Sequence, residues 1–144
     1  MISIITGVES TQAALTAERV RMDVVSQNIA NAGTSRGLDG GPYRRQQVVF
    51  ETVLKASQNT GASSGSKLES VQVARIQPDL RPPRLLHQPG HPDADAQGMV
   101  ALPNINIHEE MVDLISASRA FEANLAVLKT GRSMAIQTLG IGKR

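Results

Sequence analysis

Helix-like spacing at both ends of the chain constrains the fold more than any other feature. In the N-terminal part, spacings of three and four residues separate Val8, Thr11, Leu15, Glu18, Met22, Val25 and Ile29. In the C-terminal part, the same spacings run through Ile107, Met111, Leu114, Ser118, Phe121, Leu125, Leu128, Arg132, Ala135 and Leu139. This pattern is typical of the seam of a helix that packs on another helix. We therefore predict long helices at about residues 8–31 and 105–139.

Local signals bound the two helices. The run Asn31-Ala32-Gly33 is a plausible stop for the first helix, and Pro103-Asn104 marks the start of the second. Glu109 and Glu110 fall in the first turns of the second helix, and we interpret them as solvated carboxylates that favour the helix dipole. Because long seams gain most of their stability from packing, the two helices are expected to pair as an antiparallel, coiled-coil-like hairpin.

The middle of the chain has a different character. A glycine-rich loop is expected at residues 33–41 and a flexible linker or hairpin tip at 58–66, while five prolines make residues 78–92 extended. Short strands are expected at Val48–Phe50, Val71–Ile76 and Met99–Leu102. The predicted fold class is mainly α with a small β insert, divided into residues 1–34, 35–104 and 105–144.

Composition points to an elongated or assembling protein. The 144 residues include one Tyr, two Phe and no Trp. Aromatic rings provide the largest burial per residue, so a chain with so few of them suits narrow helix–helix seams better than a thick globular core. Lys and Arg number 15 against 13 Asp and Glu, a balance that argues against nucleic-acid binding. With no Cys, disulfides and cysteine metal sites are excluded.

No constellation of residues predicts catalysis, a metal or a cofactor. His87, His91, Asp93 and Asp95 are suitable metal ligands by type, but the prolines among them favour an extended polar loop. The sequence lacks phosphate-binding, dinucleotide-binding, nucleophile-elbow and zinc-protease motifs. It also lacks an apolar run long enough to span a bilayer, and its N-terminus does not have the pattern of a cleavable signal peptide.

Two segments resemble a known family. The run Arg21-Met22-Asp23-Val24-Val25-Ser26-Gln27-Asn28-Ile29-Ala30-Asn31-Ala32-Gly33-Thr34 is similar to the Asn-Ile-Ala-Asn signature of flagellar rod, hook and hook-associated proteins. Gly41–Gln46 and Pro89–Asp93 resemble stretches of its rod members, and residues 103–124 resemble the family's C-terminal helix. These pieces stand in the family's order at opposite ends of a short chain, which makes the resemblance specific.

The resemblance implies a structural role without enzymatic activity. Such a chain would be a proximal-rod subunit of the bacterial flagellar basal body, exported through the type III apparatus without a cleaved signal peptide. It would assemble in the periplasmic space into a helical tube that encloses the export channel and transmits torque. The terminal helices would line the inner tube, with the middle segment outside. Expected partners are copies of itself, other rod subunits, the rod–ring junction protein and the distal rod, with no nucleic acid and no membrane insertion.

The residues expected to carry this role fall into two sets. The helix-seam and assembly set is Leu15, Met22, Val25, Asn28, Ile29, Asn31, Met111, Leu114, Ser118, Phe121, Leu125 and Leu128. The inter-subunit contact set is Tyr43, Arg44 and Arg45. Two alternatives remain open from the sequence: another rod subunit of the same family, or a helical-hairpin adaptor of the cytosol.

Overall fold

The described part of the chain begins and ends with a long helix, and four strands lie between the two helices in the sequence. The computed structural model describes residues 2–37, 39–55 and 68–141. The elements are α1 (Ile2–Ala30), β1 (Gln46–Lys55), β2 (Leu68–Pro78), β3 (Arg84–His87), β4 (Met99–Leu102) and α2 (Ile107–Ile141). Helices at both ends with a few strands between them confirm the coarse fold class. The linker expected at residues 58–66 lies outside the described residues.

Helix α1 begins earlier than the sequence predicts. The three-and-four spacing begins at Val8, which set the expected start there. The structure extends the helix to Ile2, because adding residues to an established helix costs far less than nucleating one. At its other end the helix closes in turns, in which Asn31 N donates to Gln27 O at 3.0 Å.

Helix α2 starts at a side-chain cap. The side-chain oxygen of Asn106 accepts a hydrogen bond from His108 N at 3.2 Å, and its amide donates to Glu109 Oε1 at 2.9 Å. An Asn at this position satisfies one of the helix's free N–H groups, so the helix begins at Ile107 rather than at residue 105. Gly131 lies inside the helix without interrupting it.

Strands β1 and β2 form an antiparallel hairpin. Gln46 lies opposite Pro78, and Val49 opposite Arg75. The register then shifts, so that Phe50 lies opposite Val73 and one residue of β2 is left over as a bulge. The strands expected near Val48–Phe50 and Val71–Ile76 are confirmed, and both are longer than predicted.

Strands β3 and β4 form a separate two-stranded sheet. Arg84 pairs with Leu102, and His87 pairs with Met99. Gly98 has φ of 74°, and a Cβ on it would come within 3.1 Å of both His87 Cε1 and Pro89 Cβ. The strand at Met99–Leu102 is confirmed. The sequence did not reveal β3, because its four residues are all exposed and are bracketed by prolines.

The buried interior is small. Among the residues with described burial, its apolar members are Ala17, Val24, Val25, Val100, Pro103 and Ala117, and its polar members are Asn28 and Glu110. The chain exposes 10732 Å², whereas a compact monomer of this length exposes about 7,200 Å². Much of the apolar surface of α2 remains in solvent, namely at Ile107, Met111, Val112, Ile115, Val127, Met134, Ile136, Leu139 and Ile141.

Replacing Gly131 and Gly98 by alanine should change the stability of the fold in opposite directions. At Gly131 a Cβ meets nothing within 4 Å, so Gly131→Ala should gain about 1 kcal/mol from helix propensity. At Gly98 the left-handed backbone and the contacts with His87 and Pro89 make the same change unfavourable, by about 1–2 kcal/mol for the backbone alone. Thermal unfolding of the purified chain should therefore shift up for Gly131→Ala and down for Gly98→Ala. A shift of the same sign in both variants would contradict this description.

Candidate functional site

A buried amide in the last turns of α1 is the centre of a polar network. Asn28 is 0% exposed. Its Nδ2 donates to Gln46 O at 2.9 Å and to Glu110 Oε2 at 3.0 Å. Its Oδ1 accepts from Gln46 N at 2.8 Å and from the Tyr43 hydroxyl at 3.1 Å. All four hydrogen-bonding positions of the amide are therefore used.

The same amide fixes the start of β1. Both backbone groups of Gln46 bind the side chain of Asn28, much as they would bind a neighbouring strand. Since buried backbone groups need partners, this double contact ties the hairpin to α1 at one position. Strand β1 and helix α1 are thereby held in a single register.

A buried carboxylate brings α2 into the network. Glu110 is 1% exposed, and its Oε1 accepts a hydrogen bond from Arg45 Nε at 2.6 Å. Its other oxygen accepts from Asn28. A charge-assisted bond of this length is among the stronger polar contacts in proteins. Glu110 therefore joins the first turn of α2 to the end of α1 and to the segment before β1.

Tyr43 completes the network beside the carboxylate. Burial raises the pKa of the Tyr43 hydroxyl above its ordinary 10.0, and the negative charge of Glu110 raises it further. Both causes favour the protonated hydroxyl, which is the form that can donate to Asn28.

An outer ion pair attaches the segment after β2. The side chain of Arg81 binds the Asp79 carboxylate at 2.6 Å, and its hydrogen bonds hold the pKa of Asp79 below the ordinary value. Asp79 N donates to Arg45 O at 2.7 Å. Arg45 is therefore bound through its side chain to α2 and through its backbone to the end of β2.

A second junction connects the loop after α1 with the loop before β4. Asp93 Oδ2 accepts from the Ser35 hydroxyl at 2.8 Å, and Arg36 lies 3.7 Å from the same carboxyl group. His91 Nδ1 accepts from Asp93 N at 3.1 Å. Asp95 accepts from two backbone N–H groups of the following turn. These side chains organise loops, and the described residues contain no group of three or more His, Asp or Glu placed to hold a metal ion.

The helix-seam residues lie at different depths. Val25 and Asn28 are buried, and Met111 is 50% exposed. Intermediate exposure is found for Leu15, Met22, Ile29, Asn31, Leu114, Ser118, Phe121, Leu125 and Leu128. Contacts between the helices include Arg21 Nη2 to Asp113 Oδ1 at 3.4 Å as well as Asn28 to Glu110. The role of the set in assembly stays a prediction.

The side chains of the three residues expected at subunit contacts point alternately toward the chain's own interior and toward solvent. Tyr43 and Arg45 bind Asn28 and Glu110 of their own chain, while Arg44 between them is exposed. Contact with a neighbouring subunit stays a prediction for all three, and Arg44 is the member whose side chain is open to it.

Sequence reasoning placed Glu110 wrongly among solvated carboxylates. Among the residues that the structure describes, it is the largest fully buried side chain. The sequence signal for its burial was its position in the helix repeat. Glu110, Ala117 and Asn124 recur every seven residues on the less exposed side of α2. A carboxylate in the first turn normally faces water, and only the partners Asn28 and Arg45 from elsewhere in the chain make its burial possible.

Comparison with known proteins places both helical ends in one family. Residues 10–36 match the flagella basal body rod protein family, and residues 96–141 match the C-terminal region of flagellar basal body rod FlgEFG proteins. The chain is 46% identical to the flagellar basal-body rod protein FlgC of Borreliella burgdorferi, over 88% of this chain and 90% of the relative. It is 45% identical to that of Yersinia enterocolitica, over 90% and 91%. Identity to the Bacillus subtilis protein is 39%, over 90% and 92%.

Neutralising the buried carboxylate of Glu110 should destabilise the fold far more than neutralising the exposed carboxylate of Glu109. Glu110→Gln leaves the Arg45 guanidinium without its charge partner. Fully buried pairs lose about 3–5 kcal/mol in this way, and the 18% exposure of Arg45 lowers the expected loss to about 2–3 kcal/mol. The matched variant Glu109→Gln should cost under about 1 kcal/mol. Urea unfolding measures both, and equal losses would show that Glu110 does not bind Arg45 in solution.

The single tyrosine reports on the network directly. Tyr43 should ionise above pH 10.0 in the folded chain and at its ordinary value in denaturant. A pKa raised by folding means that this contribution to stability is complete below pH 10.0 and is lost as the pH rises through the folded value. Near-ultraviolet absorbance of tyrosinate follows the titration, since the chain has one Tyr and no Trp. Glu110→Gln should move the folded pKa part of the way back, whereas an unshifted titration in the folded wild type would rule out the burial of Tyr43.

Proposed function

The chain belongs to the FlgC family of flagellar basal-body rod proteins, and from that premise we propose a specific place and architecture for it in the rod. As a member of that family it is a structural subunit of the flagellar basal-body rod and not an enzyme. We infer that it stands in the proximal rod, in the periplasmic space, after export through the flagellar type III apparatus. There it contributes to a helical tube that encloses the export channel and transmits torque from the motor ring to the hook.

One observation carries the architectural part of this proposal. The two matched segments, residues 10–36 and 96–141, contain α1 from residue 10 onward and all of α2, and the Asn28–Glu110 contact joins them. We propose that α1 and α2 pair as an antiparallel, coiled-coil-like hairpin in the inner wall of the tube, within residues 1–34 and 105–144. Residues 35–104 then lie outside that wall. The exposed apolar side chains of α2 support this, because a tube of packed helices would bury them.

The middle segment supplies further contacts in this arrangement. Arg44 is exposed between the partly buried Tyr43 and Arg45, so its guanidinium can pair with a carboxylate of a neighbouring subunit. We propose the other rod subunits, the rod–ring junction protein and the distal rod as neighbours. The helices need not enter a membrane for this role, and none among the described residues is both long and apolar enough to span one.

A carboxylate in the helix seam should block assembly. Leu125 is partly buried on α2, and Leu125→Asp would place an unpaired charge in the packed wall at a cost of several kcal/mol. The matched variant Ala126→Asp adds the same charge at the adjacent exposed position. In flagellated cells that lack the wild-type chain, Leu125→Asp should abolish swimming and be missing from purified basal bodies, while Ala126→Asp should be retained. Normal swimming with Leu125→Asp, at equal export, would contradict the proposed place of α2 in the wall.

A further inference from the structure

The loop between β3 and β4 is a series of hydrogen-bonded turns, and an imidazole closes one of them. His91 N donates to Gln88 O, and Ala94 N donates to His91 O, both at 3.0 Å. Within the second of these turns, Nδ1 of His91 accepts a hydrogen bond from Asp93 N at 3.1 Å. A ring nitrogen that accepts from an N–H carries no proton, so the imidazole of His91 is neutral in this arrangement.

The same local geometry recurs in the chain with acceptors that do not change near neutral pH. Asp79, Asp95 and Asn106 each accept a hydrogen bond from the backbone N–H two residues later, at 2.8–3.2 Å. Such turns are an ordinary use of Asp and Asn, whose side-chain oxygens stay acceptors from about pH 5 to pH 8. His91 takes the corresponding position in a further turn, and an imidazole ordinarily gains its proton in that range. The side-chain bond at His91 therefore exists only while Nδ1 is unprotonated.

A second partner for the ring lies beside the first. Oδ2 of Asp93 is 4.0 Å from Nδ1 of His91, and it accepts a hydrogen bond from the Ser35 hydroxyl at 2.8 Å. Oδ1 of the same carboxyl group lies 3.7 Å from the guanidinium of Arg36. One oxygen thus faces both a neutral hydroxyl of the loop after α1 and a ring that can become a cation. Because a charge-assisted hydrogen bond is roughly twice as strong as a neutral one, a protonated ring would displace the hydroxyl.

The charged groups at this junction come from two segments. Asp93 belongs to the β3–β4 loop, and Arg36 belongs to the loop after α1. Asp95, the other carboxylate of the β3–β4 loop, directs one oxygen to two backbone N–H groups at 2.8 Å. The imidazole of His87 is exposed at the end of β3. Asp93 is the carboxylate that lies 4.0 Å from the ring of His91, so a proton taken up at Nδ1 acts on Asp93 directly.

We infer that His91 is a pH-sensitive latch between the β3–β4 loop and the loop after α1. With a neutral ring, Nδ1 holds the backbone of Asp93, and the carboxylate of Asp93 holds the hydroxyl of Ser35. On protonation the ring loses the N–H of Asp93 and draws Oδ2 away from Ser35, because the 4.0 Å gap must close to hydrogen-bond length. The loop after α1 then loses this hydrogen bond to the β3–β4 loop. The latch goes beyond the proposed function, since it operates in the folded chain whether or not the chain is assembled.

Removing the Ser35 hydroxyl at two pH values tests the latch. In urea unfolding of the purified chain at pH 8, Ser35→Ala should lower the folded-to-unfolded ratio about tenfold, as expected for a hydrogen bond to a charged group. At pH 5 the same change should have little effect. In the background of His91→Asn the loss should be about tenfold at both pH values, because the Asn oxygen can close the same turn without titrating. The matched background His87→Asn should behave as the wild type does.

Three results would overturn the latch. The first is a loss from Ser35→Ala that is equal at the two pH values in the wild-type background, including no loss at either. The second is a loss that shrinks just as much in the His91→Asn background, which would assign the pH dependence to a different group. The third comes from nitrogen NMR of the three imidazoles in the folded chain at pH 8. There Nδ1 of His91 should be unprotonated, and a proton found on it would contradict the inference without any unfolding measurement.

Discussion

The contact between Asn28 and Glu110 is the constraint on which the rest of the structure depends. Its 3.0 Å bond joins the two helices, and the same two side chains hold Gln46, Tyr43 and Arg45. Buried polar groups of this kind are better at specifying an arrangement than at adding net stability, because desolvation offsets much of their attraction. The fully buried apolar side chains on the described parts of the two helices are small, namely Ala17, Val24, Val25 and Ala117, and small side chains discriminate weakly between helix registers. We therefore assign the choice of register to the network and the gain in free energy to apolar burial.

A fold organised in this way is incomplete as a monomer. Few apolar side chains of the described residues are fully buried, while much of the apolar surface of α2 remains exposed. Neighbours that bind the folded chain and not the unfolded one stabilise it by mass action, so the stability of the subunit depends on its assembly. This division suits a rod subunit. Internal contacts fix the relation of the two helices and the middle segment, and in the proposed rod the contacts between subunits would provide the remaining burial.

The sequence was sufficient for features that depend on local spacing. Both helices follow from their periodicity, and the strands around Val48–Phe50 and Val71–Ile76 follow from alternation and residue type. It was insufficient where partners distant in sequence decide the outcome. Glu110 is buried only because Asn28 and Arg45 meet it, and strand β3 exists only because β4 pairs with it. The family signature singled out Asn28, but nothing in the local pattern shows that its amide organises Gln46.

The most direct test is a map of the assembled basal body in which this chain is traced at side-chain resolution. The account predicts that α1 and α2 of every copy remain paired in the tube wall, with the amide of Asn28 bound to Glu110 of the same chain and Arg45 on the other carboxylate oxygen. Helices of one chain that are separated in the rod, or a Glu110 carboxylate bound to a different subunit, would contradict it.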